Sequence, residues 1–212
     1  MKWYNLLAPL YDRAILGMYL PYRRMAVQSS GLKPGDTVLD LGCGSGLNFE
    51  LVVEQLGPEG TLLGIDFSEK MLDKAREKIA DNNWRNVHLL QRDADQLTRA
   101  DFEALIGRSV KIDCILCTLG LSVFPDWRDV FATSFELLDS GGRYCVMDLF
   151  NEHDSFQTRV VNLLAGSDVS RRVWVPLQAS CEDYMEERHS VMHGDTVIVA
   201  SGRNPRGGTR PV

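Results

Sequence analysis

No apolar run in the chain approaches the about 20 residues that a membrane-spanning helix needs. There is no internal repeat, and no low-complexity tract before the closing GRNPRGGTRPV. Nor is there an excess of base: 23 Lys and Arg stand against 29 Asp and Glu, a net charge of -6. Coating a duplex takes clustered cations that release counterions, so no nucleic-acid partner is expected. The N-terminus has Pro9, Asp12 and Arg13 where a secretory signal needs an unbroken apolar centre, and the cytoplasm is the expected location. Cysteine is scarce and odd in number, five residues mostly set in apolar runs, as suits buried thiols in a reducing compartment. Cys114 and Cys117 spell C-x-x-C without a second pair, so neither metal nor redox use is expected of them. What remains is an ordinary composition of 212 residues, 44% hydrophobic and 25% charged. It predicts a single domain over 1–202, with 203–212 as a flexible basic tail.

Short apolar runs alternate with amphipathic stretches. Val38–Leu41, Leu62–Ile65, Val87–Leu90, Ile112–Cys117 and Tyr144–Leu149 read as strands buried on both faces, the mark of a parallel sheet. Helices are expected over Leu47–Leu56, Glu69–Ala80 with Ser68 as N-cap, Asp101–Ile106 and Trp127–Leu138. Near the end, two β-rich runs flank His193, Gly194 and Asp195, which fits an antiparallel hairpin. The expected fold is a doubly wound, Rossmann-like α/β sheet of seven strands, mostly parallel with that C-terminal antiparallel hairpin.

The first strand ends in VLDLGCGSG, Val38 to Gly46, which places Gly42, Gly44 and Gly46 just past Asp40. In open α/β sheets ligands bind beyond the carboxyl ends of the strands. Glycines close together there imply a backbone pressed against something. A dinucleotide fingerprint, G-x-G-x-x-G, requires a third glycine where this chain has Leu47 or Phe49. Asp40 would also repel a pyrophosphate and welcome a cation.

With these residues the chain resembles the class I S-adenosylmethionine-dependent methyltransferases, whose first motif, [V/L]-L-D-x-G-x-G-x-G, is filled from Val38 to Gly46. LLGIDFSEKML, LLQRDADQL and LLDSGGRYCVMD continue the resemblance in order. It implies S-adenosylmethionine as cofactor, S-adenosylhomocysteine as product, and a donor site with Asp40, Gly42, Cys43, Gly44 and Gly46 around the amino-acid tail. Asp66 would take the ribose, Phe67, Met71, Asp93 and Ala94 the adenine, and Cys117, Thr118 and Leu119 the end of the fourth strand. Cys43 could be reactive in that loop. The branch resembled holds ubiquinone and menaquinone C-methyltransferases and bacterial phospholipid and betaine-lipid N-methyltransferases. It implies an N-terminal lid over 1–30 with Tyr4 and Tyr11 closing on the donor.

The acceptor segment CTLGLSVFPDW lacks the N-P-P-[Y/F] signature, and no carboxylate cluster suggests a metal. The implied acceptor is a small molecule or lipid headgroup, with quinone carbon and headgroup nitrogen both open. His153, just past the fifth strand, is a candidate general base; Tyr11 is the other residue nominated for catalysis. Residues 1–24, rich in Trp, Tyr and Leu beside Arg13, Arg23 and Arg24, read either as a helix packed on the sheet or as a surface for peripheral contact with a bilayer. Arg171 and Arg172 read as a solvated face or an anion site. Where the family has L-x-P-G-G, the chain has Leu138, Asp139, Ser140, Gly141 and Gly142, and a looser turn is expected. Two alternatives remain: a donor-binding regulatory subunit that transfers nothing, and a nicotinamide oxidoreductase, which the glycine spacing disfavours.

Overall fold

The computed structural model describes residues 18–152, 167–191 and 195–205. The expected Tyr4, Tyr11 and His153, the hairpin turn at His193 and Gly194, and the last residues of the basic tail lie outside these. Seven strands form one sheet in the order β3-β2-β1-β4-β5-β7-β6. They are β1 (Thr37–Leu41), β2 (Thr61–Asp66), β3 (Val87–Gln91), β4 (Cys114–Thr118), β5 (Arg143–Phe150), β6 (Glu182–Ser190) and β7 (Thr196–Arg203). β1 to β5 are parallel, while β7 runs antiparallel between β5 and β6. This is the seven-stranded, mostly parallel doubly wound sheet that the alternating runs predict. Among the described residues no helix is long and apolar enough to cross a membrane.

Period-two alternation divides the strand side chains between two cores. Val38, Leu62, Leu116 and Met147 face one cluster with α1 (described over 18–29), α2 (Phe49–Leu56) and α3 (Glu69–Asp81). Leu39, Leu63, Ile115 and Val146 face the other with α4 (Arg99–Ile106) and α5 (Trp127–Leu137). A short α6 (Val175–Ser180) precedes β6. The alternation has a functional consequence. Asp40, two residues after Val38, and Thr118, two after Leu116, point to the α1–α3 face; Cys117 points to the other.

Helix ends depart from the sequence reading for local reasons. α4 starts at Arg99 because Thr98 and Asp101 form a reciprocal capping box, a T-x-x-D signal ahead of the expected Asp101. Ser68 does occupy the N-cap of α3, but its side chain makes no capping bond. Its N–H instead donates to Asp66 Oδ1 at 2.8 Å. The turn before β5 is not loosened by its missing proline. Asp139 Oδ2 accepts from the Ile112 N–H at 2.7 Å and from Arg99 at 2.9 Å, and Asn204 Nδ2 holds the Leu138 carbonyl at 2.9 Å. For the same reason the tail does not begin at 203: Arg203 ends β7 and Asn204 is buried.

Candidate active site

The strand order places β1 beside β4, so the chain turns one way from β1 and the other way from β4. The crevice beyond their carboxyl ends is the topological switch point where α/β sheets bind ligands. Asp40 lies there, fully buried, and Asn48 Nδ2 donates to its Oδ1 at 2.8 Å. Its Oδ2 is buried with no partner among the described residues. Asp40 therefore does not cap α2; it anchors a polar network. Asn48 Nδ2 also reaches Thr118 Oγ1 at 3.0 Å. Arg23, from α1, donates through Nη1 to Asn48 Oδ1 at 2.8 Å and to Thr118 Oγ1, while its Nε has no acceptor among the described residues.

Burial pushes the Asp40 carboxyl up to about 7, against the pull of the Asn48 hydrogen bond and the Arg23 charge. Burial likewise lowers the Arg23 guanidinium, with Asp40 opposing. An unsatisfied buried oxygen costs about 1–3 kcal/mol. A cationic ligand group recovers that cost, which suits this crevice to a cation at Asp40 and an acceptor at Arg23 Nε.

The loop glycines serve different ends. Gly44 has φ +55 and nothing within 4 Å of where a Cβ would stand, so its backbone borders open space that a ligand can fill. At Gly46 a Cβ would meet the Phe49 ring at 2.6 Å; that glycine lets α2 pack on the loop. Asp66, half-buried at the end of β2, accepts from the Gly44 N–H at 2.9 Å as well as from Ser68. Burial raises its pKa despite both bonds. Past β4, Leu119 takes φ +54, a strained conformation for a branched apolar side chain.

The other sequence-nominated positions divide. Phe67 is 61% exposed, Met71 is half-buried and Asp93 is exposed, whereas Ala94 lies in the α4–α5 core. Cys117 is fully buried on the face opposite Asp40 and Thr118, so its sulfur stands against the core and not with the network. Cys43 is not a reactive thiol: it is buried, and burial followed by the charges of Asp40 and Asp66 pushes its pKa well up. Arg23 is 6% exposed and belongs to no surface. Tyr19 and Tyr22 also pack against the sheet, so the described part of the N-terminal stripe follows the core-packing reading. Arg172 is exposed, as the solvated-face reading expects, whereas Arg171 is half-buried and donates to Asp168 and to the Ser122 and Phe124 carbonyls, tying loops together.

Sequence reasoning missed three residues of this region. Asn48, at the centre of the network, carries no signal beyond being polar after the glycines. Arg23 had one: residues 19, 23, 26, 27 and 30 share a helical face, and all are buried or half-buried. Asp148, fully enclosed at the end of β5, accepts from Ser122 N–H at 2.9 Å, Ser122 Oγ at 2.7 Å and Leu149 N–H at 2.8 Å.

A methyltransferase domain family matches residues 32–191. The chain belongs to that family. Among curated relatives, this methyltransferase domain is 33% identical to the arsenite methyltransferase of Halobacterium salinarum over 120 residues, 57% of this chain and 29% of that protein. It is 31% identical to the chloroplastic 2-phytyl-1,4-beta-naphthoquinone methyltransferase of Arabidopsis thaliana over 162 residues, 73% of this chain and 59% of that protein. The chain thus spans less than two thirds of the length of either relative. A solved phosphoethanolamine N-methyltransferase 2 of Haemonchus contortus, in complex with phosphomonomethylethanolamine and S-adenosylhomocysteine, shares the fold at TM-score 0.70 and 13% identity, covering 88% of this chain and 53% of that one.

Proposed function

We propose that this domain transfers a methyl group from S-adenosylmethionine to a small-molecule acceptor, with a quinone-type ring carbon favoured over a headgroup nitrogen. The observation that carries the donor half is that Asp40 Oδ2 and Arg23 Nε, in one buried network, have no partner among the described residues, in a family of methyltransferase domains whose glycine loop here follows Asp40 directly. These residues fit the donor. Asp40 would hold the ammonium of its amino-acid tail and Arg23 the carboxylate, while Asp66 keeps lone pairs for the ribose hydroxyls. Phe67, Met71 and the Asp93–Ala94 turn would border the adenine.

When bound, the donor supplies a methyl already activated on its sulfonium. The protein has then to hold, orient and exclude water, and orientation alone is worth up to about 7–11 kcal/mol. No nucleophilic side chain is needed. His153 is proposed to accept the proton the acceptor must lose, Tyr11 and Tyr4 to close over the donor, and, of residues 1–24, those before 18 to approach a bilayer when the acceptor is prenylated. The quinone preference is supported by the naphthoquinone relative.

Calorimetry with S-adenosylmethionine tests the donor half. Binding is expected, and Asp66→Ala should weaken it by about 1–3 kcal/mol; undiminished affinity in that variant would remove the ribose assignment. Labelled donor with a panel of quinols, amines and arsenite tests transfer. Binding without release of S-adenosylhomocysteine from any acceptor would favour the regulatory-subunit reading.

A further inference from the structure

The loop after β4 is built around one ring. A Cβ on Gly42, at the end of β1, would stand 3.1 Å from Phe124 Cζ, and a Cβ on Gly120 would stand 3.6 Å from Phe124 Cε2. The phenyl ring therefore lies across the carboxyl ends of β1 and β4, at the switch point itself, where the missing side chain of Gly42 makes room for it. It is half-buried, leaving part of the ring free for contact.

The ring's backbone is fixed. Its N–H donates to the Gly120 carbonyl at 3.2 Å, and its own carbonyl accepts from Arg171 Nη1. Two residues earlier, Ser122 gives both its N–H and its hydroxyl to Asp148, and its carbonyl accepts the Asp168 N–H at 2.8 Å. Arg171 is held in turn by Asp168 at 3.1 Å. Asp148 and the 168–171 turn together clamp the loop from outside.

From Leu119 to Pro125 the loop carries no charged side chain, and its one hydroxyl, on Ser122, is spent inward. What it presents is apolar: the Phe124 ring, the exposed Val123 and the half-buried Leu119. Apart from the inward-turned Ser122, the side chains of this loop have no donor or acceptor with which to hold a headgroup. The loop selects by flat apolar contact.

Resting on the proposed reading of the donor crevice, we propose that Phe124 is the specificity-determining residue for the acceptor, the wall against which a flat unsaturated ring stacks. The Asp148–Ser122–Arg171 clamp holds it there as a set of positioning groups.

The test is equilibrium binding to the full chain saturated with S-adenosylhomocysteine, using 2-methyl-1,4-naphthoquinone and phosphoethanolamine as probes. Wild type should bind the naphthoquinone and show no measurable affinity for the amine. Phe124→Ala should weaken the naphthoquinone tenfold or more, and Phe124→Leu, which keeps apolar bulk but loses the ring, about threefold, while S-adenosylhomocysteine affinity stays within threefold. Should the alanine variant melt early, the leucine variant decides. Unchanged naphthoquinone affinity in the variants, equal losses for probe and S-adenosylhomocysteine, or wild type preferring the amine or binding neither probe would each overturn the proposal. Failure of the underlying reading looks different: wild type would bind no S-adenosylhomocysteine at all.

Discussion

Asp40 and Asp148 lie near the carboxyl ends of the two strands that flank β4, and both are buried, 0% and 1% exposed. Alternation along β1 and β5 sends them to opposite faces of the sheet. Asp148 accepts three hydrogen bonds, two of them from Ser122. Asp40 accepts from Asn48, and its second oxygen has no partner among the described residues. Burial raises both pKa values. The same residue type at the same depth thus serves two purposes. A carboxylate whose bonds are complete fixes a loop; one left incomplete is, on the proposed reading, the one that receives the donor.

The contrast can be broken by substitution. Asp148→Ala strands the Ser122 N–H and hydroxyl in the interior, and should cost about 3 kcal/mol of stability in urea unfolding, with donor affinity kept within threefold. Asp40→Asn should do the reverse. Calorimetry should show donor affinity down by about 2 kcal/mol, with stability above pH 7 equal to or greater than wild type, since a buried charge is removed. If both variants lose stability alike, Asp40 is scaffold too.

Proton titration sharpens the same point. A carboxyl raised to about 7 in the fold binds its proton more tightly folded than unfolded. Its stabilising contribution is therefore full below the unfolded value near 4 and is lost as pH rises through 7. Holding an ammonium needs the ionised form, so donor affinity should climb about tenfold, roughly 1.4 kcal/mol, from pH 6 to pH 8. Asp40→Asn should flatten both slopes, read by thermal melts and calorimetry across that range. The smallest effect lies far from either aspartate: Thr98→Ala removes the capping box of α4 and should cost about 1 kcal/mol of stability without moving donor affinity.

Much of the crevice proposed for the donor was legible in the sequence because its parts are local. A glycine loop after a buried strand and an acid at the end of the next one are written within about thirty residues. Arg23 shows where local reading fails. It lies 25 positions from Asn48 and 95 from Thr118, and its arginine neighbour suggested a basic surface, although its helical spacing with Tyr19, Ala26 and Val27 already pointed inward. Cys117 and Thr118 are adjacent letters with equal claims in the motif; the pleat separates them. Phe124 read as part of an apolar acceptor segment, but nothing in the letters put its ring on Gly42.

By itself the sequence determined the class of fold, the order of its elements and the place of the glycine loop after the first strand. Hydrophobic period and glycine placement are properties of neighbouring residues, and local sterics enforce them. Tertiary structure alone decided which polar atoms stay unpaired, which acid is completed by Ser122, and which ring lies across the switch point. Those outcomes depend on groups brought together from distant strands, where burial sets the energy of every hydrogen bond made or missing.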